Sequence, residues 1–274
     1  MKIAAAQIDC VPGEVATNLR KLEAFAERAK AAGADLVVFP EMADTGYVMP
    51  IILQSALPWS EGAVPALREI ARRLQLAIIC GVSERVKNAI YNAQVFIDAK
   101  GEIGGSYRKA HLFSAGTLDE RECFAAGNEI RSYAFGDFRL GLSICYDLRF
   151  PEIYRELATA QRATVFVVSS AWPFPRAEHL RILTLARAIE NQSYLVLANR
   201  VGTDDGATFC GGSAVFDPYG NVLGAGSSEG EELITAELST EVLRTVRERM
   251  AVFTHRRGDL YDSLGEQAAE TRTR

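Results

Sequence analysis

Several short segments of the sequence are apolar without the polar alternation of a half-exposed strand. The segments ADLVVF (34–39) and TVFVVS (164–169) are examples. Strands of this kind are buried on both faces. We therefore expect a sheet that is covered on both sides, with helices on at least one of them. The predicted strands are Lys2–Gln7, Ala34–Phe39, Leu76–Cys80, Ala93–Asp98, Phe138–Ile144, Thr164–Ser169, Tyr194–Asn199, Ser213–Asp217 and Leu233–Glu237.

Amphipathic segments lie between these strands. In the first of them Leu19, Leu22 and Phe25 recur at helical spacing, while the charged residues between them point outward. Alternation of strands and helices predicts an α/β fold. The predicted helices are Asn18–Ala32, Val64–Leu74, Pro151–Thr159 and Glu178–Asn191.

The pattern changes near the carboxyl end of the chain. The segments DPYGN (217–221) and GAGSSEG (224–230) separate short strands, which predicts antiparallel hairpins. The charged tail from Ser239 ends in ETRTR, and we expect it to fray or to take part in oligomer contacts. The sequence contains no linker or repeat, so residues 1–274 are predicted to form a single domain.

Composition excludes several classes of protein. The chain has 274 residues and a net charge of −5 without a basic block, which argues against nucleic-acid binding. Gln7 and Asp9 interrupt the first apolar run too early for a signal peptide, and no apolar stretch is long enough to span a membrane. We therefore expect a cytoplasmic protein that does not bind membranes. The five cysteines are scattered without a C-x-x-C pair, so neither a disulfide framework nor a metal site is indicated.

The segment FRLGLSICYDLRFPEIYREL (138–157) is the most informative for function. An apolar strand is followed by Cys145 and then by a helix from Pro151. In open α/β sheets, reactive groups collect at the carboxyl ends of strands. Cys145 is thus a candidate nucleophile, although a cysteine at this position can also be a small buried hydrophobic residue.

Three other segments contain charged residues that could act together with Cys145. Glu41 comes after residues 34–39, Lys109 lies beside another candidate strand, and Glu120 and Glu122 lie in TLDERECF (117–124). Singly, these side chains have structural explanations as a loop cap, a surface lysine and a solvated acidic cluster. Together with a cysteine they suffice for acyl transfer. A buried carboxylate can take the thiol proton, and an ammonium group can stabilise the oxyanion.

Three ordered motifs resemble the signatures of the nitrilase superfamily of carbon–nitrogen hydrolases. They are FPE with Glu41, YRKAHLF with Lys109 and ICYDLRFPE with Cys145, separated by 68 and 36 residues. The resemblance extends from AAAQ near the start to HRRGDLY near the end. It implies a four-layer αββα sandwich that forms a homodimer or higher oligomer and needs no metal or organic cofactor.

The resemblance also implies the roles of individual residues. Glu41 would be the general base, Lys109 the oxyanion stabiliser and Cys145 the nucleophile. A second active-site glutamate precedes a glycine by seven residues in the family. Here that glycine is Gly127, which selects Glu120, with Glu122 as the alternative. The expected reaction is hydrolysis of the C–N bond of a small-molecule carboxamide through a cysteine thioester, with a backbone N–H near Tyr146 as a second oxyanion donor.

The residues after Cys145 favour an amidase. Nitrilases proper usually have Trp and Glu there, where this chain has Tyr146 and Asp147. D-carbamoylases usually have two adjacent arginines, where Leu148 here precedes a single Arg149. Nitrilase and N-carbamoyl amidohydrolase activities remain alternatives of the same superfamily. A non-catalytic binding subunit is the alternative of another class.

Several side chains are candidates for contact with substrate. In the carbamoylase comparison Arg149 corresponds to an arginine that binds the substrate carboxylate, a task that suits a guanidinium. It could equally form a structural salt bridge with Asp147 or Glu152. Trp172 and Phe174 could form the wall of an acyl pocket or pack within their loop. The full set of candidate substrate ligands is Tyr47, Tyr146, Arg149 and Trp172.

Overall fold

Two six-stranded sheets form the centre of the protein. The computed structural model describes residues 1–116 and 118–261. In the first half of the chain, the strands of these two sheets are β1 Lys2–Gln7, β2 Leu36–Val38, β3 Ala77–Val86, β4 Ala89–Ile97 and β5 Ile103–Arg108. Those of the second half are β6 Ser132–Phe135, β7 Phe138–Ile144, β8 Val165–Ser170, β9 Tyr194–Asn199, β10 Ala214–Phe216, β11 Val222–Ala225 and β12 Glu232–Glu237.

The two sheets have matching topology. The first has the order β12-β1-β2-β3-β4-β5, and the second has the order β11-β10-β9-β8-β7-β6. In the first sheet the consecutive strands β1, β2 and β3 are parallel to one another, and in the second sheet β7, β8 and β9 are. The strands that flank each set are antiparallel to it. The parallel strands therefore end at one edge of their sheet, where loops can bring reactive groups together.

Helices cover the outer face of each sheet. The helices are α1 Val15–Ala31, α2 Met49–Ser55, α3 Ala63–Leu74, α4 Pro151–Thr159, α5 Ala177–Glu190 and α6 Thr240–Arg249. Alternate residues of β1 show the layering. Ile3 and Ala5 belong to the core shared with the second sheet, whereas Ala4 packs with Leu22 and Phe25 of α1. The expected αββα sandwich is confirmed.

The prediction of a hairpin at residues 224–230 is wrong. β10 and β11 do form an antiparallel pair around the DPYGN turn, but β12 pairs with β1 in the other sheet. Residues 226–231 thus carry the chain from one sheet to the other. Antiparallel hydrogen bonding to β1 over six residue pairs gives β12 its place, and this partner is too remote in sequence for a local pattern to reveal.

Of the two expectations for the tail from Ser239, fraying is wrong for its first part. Residues Thr240–Arg249 form α6, and the Ser239 hydroxyl accepts a hydrogen bond from the Glu241 N–H as an N-cap. Leu243 and Val246 are buried, so this charged helix still has an apolar side that packs on the protein. The final ETRTR segment lies outside the described residues.

Two predicted strands are longer than expected. The strands predicted at Leu76–Cys80 and Ala93–Asp98 are parts of β3 and β4, which form one long antiparallel hairpin. Polar residues such as Ser83, Asn92 and Gln94 lie within this hairpin and are buried. Ser83 and Asn92 lie in the parts of the hairpin beyond the predicted strands.

Candidate active site

Glu41 lies fully buried just beyond β2. Its Oε2 accepts a hydrogen bond of 2.8 Å from the backbone N–H of Ala171, which directly follows β8. Gly81 of β3 packs against the same segment. A Cβ at this glycine would lie 2.5 Å from the Pro40 oxygen and 2.6 Å from the Glu41 Cα. The carboxylate is therefore held between the two sheets, and its position depends on a glycine in the neighbouring strand.

Lys109 directly follows β5 and joins two carboxylates. Its Nζ donates hydrogen bonds of 2.8 Å to Oε1 of Glu41 and of 2.8 Å to Oε1 of Glu120. All three side chains are completely buried. Burial alone would lower the pKa of the ammonium group, but the charges of Glu120 and Glu41 outweigh it and raise the pKa. A protonated lysine has three donors, so one N–H remains for an oxyanion.

Glu120 is the second glutamate of the cluster. It begins a short helical turn, and its carboxylate accepts 2.6 Å hydrogen bonds from the Tyr47 hydroxyl and from the Phe113 N–H. The alternative, Glu122, is exposed to solvent. The structure thus brings Glu120, and not Glu122, into contact with Lys109.

Cys145 directly follows β7 in a left-handed backbone conformation, with a φ of +43°. For a residue with a Cβ this conformation is uncommon and is concentrated at functional sites. The Asp147 carboxylate accepts a 2.9 Å hydrogen bond from the Ile144 N–H and fixes the bend. Residues Cys145–Arg149 form a helical turn. The backbone N–H groups of its first residues, such as Tyr146, have no intrahelical acceptor and can bind an anion.

The environment of Cys145 keeps its thiol protonated at rest. Burial is the main cause that raises the pKa of this thiol well above its usual value, and the charge of Glu41 adds to it. Lys109 and the Ser170 hydroxyl act in the opposite direction. A free thiolate is therefore unfavourable in this environment. The thiol proton has to pass to an acceptor, such as the carboxylate of Glu41, while the sulfur attacks.

Asn92 was missed by the sequence analysis. It lies in β4, and its Nδ2 donates hydrogen bonds of 2.7 Å to Glu41 and 3.2 Å to Glu120. Both carboxylates therefore share an amide donor as well as the ammonium group of Lys109. The signal for it is that Asn92 is one of two amides, with Gln94, in the otherwise apolar strand segment AIYNAQVFI (89–97).

An apolar cavity of about 40 Å³ opens beside the Cys145 sulfur. It is lined by Tyr47, Phe113, Leu118, Cys145, Tyr146, Arg149, Ala171, Trp172, Pro173, Arg176, Ala207 and Phe209. The four candidate substrate ligands from the sequence are thus all in its wall. Of the two roles considered for Phe174, the place in the cavity wall is not found, since its side chain is 44% exposed and lies outside this lining.

Two arginines contribute to the cavity wall. The Arg149 guanidinium lies 4.9 Å from the centroid of the Trp172 ring, and that of Arg176 lies 5.7 Å from the centroid of Phe113. Within the described part of the chain, Arg149 forms no ion pair with Asp147 or Glu152. The structural salt bridge considered for it is therefore not formed among these residues.

Comparison with known proteins identifies the family. A profile of the carbon–nitrogen hydrolase family matches residues 2–248. The chain belongs to the carbon–nitrogen hydrolase family. This confirms the resemblance drawn from the three motifs, and it confirms the expected enzyme class.

Characterised relatives of this carbon–nitrogen hydrolase include amidases. It is 35% identical over 260 residues to a 2-oxoglutaramate amidase of Bacillus subtilis, covering 94% of this chain and 98% of that protein. It is 36% identical over 251 residues to an (R)-stereoselective amidase of a Pseudomonas species, covering 90% of this chain and 88% of that protein.

A solved structure with the same fold is an amidase from Nesterenkonia sp. AN1. The TM-score is 0.85 with 29% sequence identity, over 96% of this chain and 99% of the other. In one structure of a glutamate-to-glutamine variant of that amidase, the acetamide moiety of fluoroacetamide is covalently attached to the active-site cysteine.

Two further features of this carbon–nitrogen hydrolase concern metals and membranes. Among residues 1–116 and 118–261, no group of three or more His, Cys, Asp and Glu side chains is placed to hold a metal ion. Every helix in that part of the chain is too short or too polar to cross a membrane.

Proposed function

We propose that this carbon–nitrogen hydrolase is an amidase that converts a small carboxamide into ammonia and a carboxylic acid through a thioester on Cys145. The observation that carries the proposal is a buried charge cluster that is hydrogen-bonded to residues of the cavity wall. There Glu41, Lys109 and Glu120 are linked by hydrogen bonds of 2.8 Å beside the one cysteine that lines the cavity. These groups supply a base, a cation and a nucleophile.

In the first half of the reaction, the Cys145 sulfur attacks the carbonyl carbon of the amide and its proton passes to Glu41. The third N–H of Lys109 and the backbone N–H of Tyr146 stabilise the resulting oxyanion. The tetrahedral intermediate collapses when Glu41 returns the proton to the amide nitrogen. Ammonia leaves and the acyl group remains on sulfur as a thioester.

In the second half, Glu41 removes a proton from water, and the hydroxide attacks the thioester carbon. The same donors hold the second oxyanion. Sulfur then leaves and regains its proton from Glu41, which releases the carboxylic acid and restores the resting site. Glu120 acts by holding Lys109 and the Tyr47 hydroxyl in place, so it is a positioning residue.

The cavity supports a short acyl group as substrate. Its walls are largely apolar and include the aromatic rings of Tyr146 and Trp172. Arg149 and Arg176 are the charged groups of this wall, and each is suited to a carboxylate at the far end of the acyl chain. We therefore propose that amides with a distal carboxylate are preferred over neutral amides of equal length.

The test is release of ammonia from a panel of small amides, with nitriles and N-carbamoyl compounds of matched length included. We expect turnover of the amides, and its abolition in Cys145→Ala with the fold retained. Cys10→Ala, which alters another buried cysteine outside the cluster, is the matched control. Turnover in Cys145→Ala at the wild-type rate would overturn the mechanism. Absence of activity on every compound would favour a non-catalytic binding subunit.

We also propose that the protein is a cytoplasmic homo-oligomer. The five cysteines are all free and buried, in keeping with a reducing compartment. Helix α5 presents Ile182 and Ile189 as exposed apolar side chains, and Met250 after α6 is exposed as well. Light scattering on the purified protein would give a mass above that of a monomer, and a monomer mass would refute the oligomer.

A further inference from the structure

Ser170 is a buried hydroxyl residue at the carboxyl end of β8 that the mechanism so far does not use. Its side chain is completely buried, and its Oγ has no hydrogen-bond partner of normal geometry in the described part of the chain. A buried hydroxyl without a partner is destabilising, so such a group calls for an explanation.

Neighbouring strand serines show that this situation is specific to Ser170. The Ser169 hydroxyl donates to the Phe39 oxygen at 2.7 Å, and the Ser143 hydroxyl lies 2.8 Å from the Tyr154 hydroxyl. Both of these serines have a structural partner. Ser170 is the serine of β7 and β8 whose hydroxyl is left uncommitted.

The strand register places Ser170 next to the nucleophile. In the parallel pairing of β7 and β8, Ser169 lies opposite Ile144, so Ser170 and Cys145 are the next residue on each strand. The residue after Ser170 is Ala171, whose N–H binds Glu41. Interaction with the Ser170 hydroxyl also lowers the pKa of the Cys145 thiol, against the burial that raises it.

We propose that the Ser170 hydroxyl donates a hydrogen bond to the Cys145 sulfur while negative charge is on that atom. This happens as sulfur attacks the amide and again as it leaves the thioester. The hydroxyl keeps its own proton throughout, and the thiol proton goes to Glu41. Ser170 would then be a further catalytic residue, since it touches a reacting atom. The inference rests on the proposed function only in taking Cys145 as the nucleophile.

The other groups that act on the thiol have to be kept constant in any test. They come from the loops after β2 and β5, from the helical turn of the second glutamate, and from α4. These groups are Glu41, Tyr47, Lys109, Glu120 and Tyr154. A change at Ser170 leaves all five side chains in place, so a shift in thiol behaviour can be assigned to the hydroxyl.

The experiment compares Ser170→Ala with Ser143→Ala, a matched buried serine on the adjacent strand. A hydrogen bond to a charged group is worth enough to change a rate about ten- to a hundredfold. We expect Ser170→Ala to lower kcat by that factor with little change in KM, and Ser143→Ala to keep kcat close to wild type. Ser170→Thr, which retains a hydroxyl, should recover most of the loss.

The second readout is alkylation of Cys145 by iodoacetamide as a function of pH, which does not require turnover. In Ser170→Ala the rise of the alkylation rate should move to higher pH by about one unit or more. It should remain at the wild-type pH in Ser143→Ala and Ser170→Thr. An unchanged alkylation profile in a folded Ser170→Ala variant overturns the proposal. A shifted profile without amidase activity in the wild type would refute the amide substrate while supporting the contact.

Discussion

Replacement of Lys109 by methionine separates its structural role from its chemical role. The ammonium group lies between two carboxylates at 2.8 Å each, with all three side chains fully buried. Removing one member of a buried ion pair costs about 3–5 kcal/mol, because the remaining charge loses its partner. For a protein of this size, that corresponds to a fall in Tm of about 6–20 °C. Loss of an oxyanion donor should lower kcat by about 10²–10³-fold.

The double variant Lys109→Met/Glu120→Gln tests the reasoning further. Since one of the two uncompensated carboxylates is removed, part of the lost stability should return. Activity should not return, because the oxyanion donor is still missing. Lys100→Met, at an exposed lysine, is the control and should leave both quantities near wild type.

The assays are thermal unfolding followed by circular dichroism and steady-state release of ammonia from a small amide. We expect Lys109→Met to lose both stability and kcat, and the second substitution to rescue stability alone. A Lys109→Met protein with an unchanged Tm would refute the buried charge cluster. Recovery of kcat in the double variant would refute the role of Lys109 in holding the oxyanion.

Further predictions concern specificity, pH and geometry. Arg149→Gln should raise KM for succinamate about 10–100-fold and leave KM for butyramide nearly unchanged. Equal changes in KM for both amides in initial-rate assays would exclude a contact between Arg149 and the substrate carboxylate. Burial raises the pKa of Asp44 from 3.8 to about 6 despite hydrogen bonds from Ser83. The folded state therefore binds this proton more tightly than the unfolded state, so the free energy of unfolding falls by up to about 3 kcal/mol as pH rises from 4 to 7. Urea unfolding of D44N should lack this contribution, and an identical pH dependence in both proteins would contradict it. Gly81→Ala should lower kcat about 100-fold, because the new Cβ would lie 2.6 Å from the Glu41 Cα and displace the general base. A wild-type kcat in this variant would show that Glu41 tolerates displacement.

Much of the site could be predicted because its main residues follow strands and belong to local motifs. Glu41 and Cys145 each stand just beyond an apolar strand, and Lys109 lies in the local motif YRKAHLF. Glu120 has a fixed spacing to Gly127. That glycine packs against the end of β5, where its N–H donates to the Lys109 oxygen at 2.8 Å. Local sequence thus encodes the anchor points of the cluster.

Residues whose role depends on distant strands could not be predicted in this way. Asn92 reaches both glutamates only because β4 passes beneath them, and its sequence signal is a polar residue in a buried strand. Ser170 lies next to Cys145 through the register of β7 and β8. β12 joins the first sheet through β1, more than two hundred residues away in the chain.

The central claim is that an acyl group is carried on Cys145. The most direct measurement is mass spectrometry of the protein quenched during turnover of a small amide, followed by peptide mapping. The account predicts an added acyl mass on the peptide that contains Cys145, which disappears when the substrate is exhausted and is absent from Cys145→Ala. Steady turnover with no acyl adduct at any time, or with the adduct on another cysteine, would contradict it.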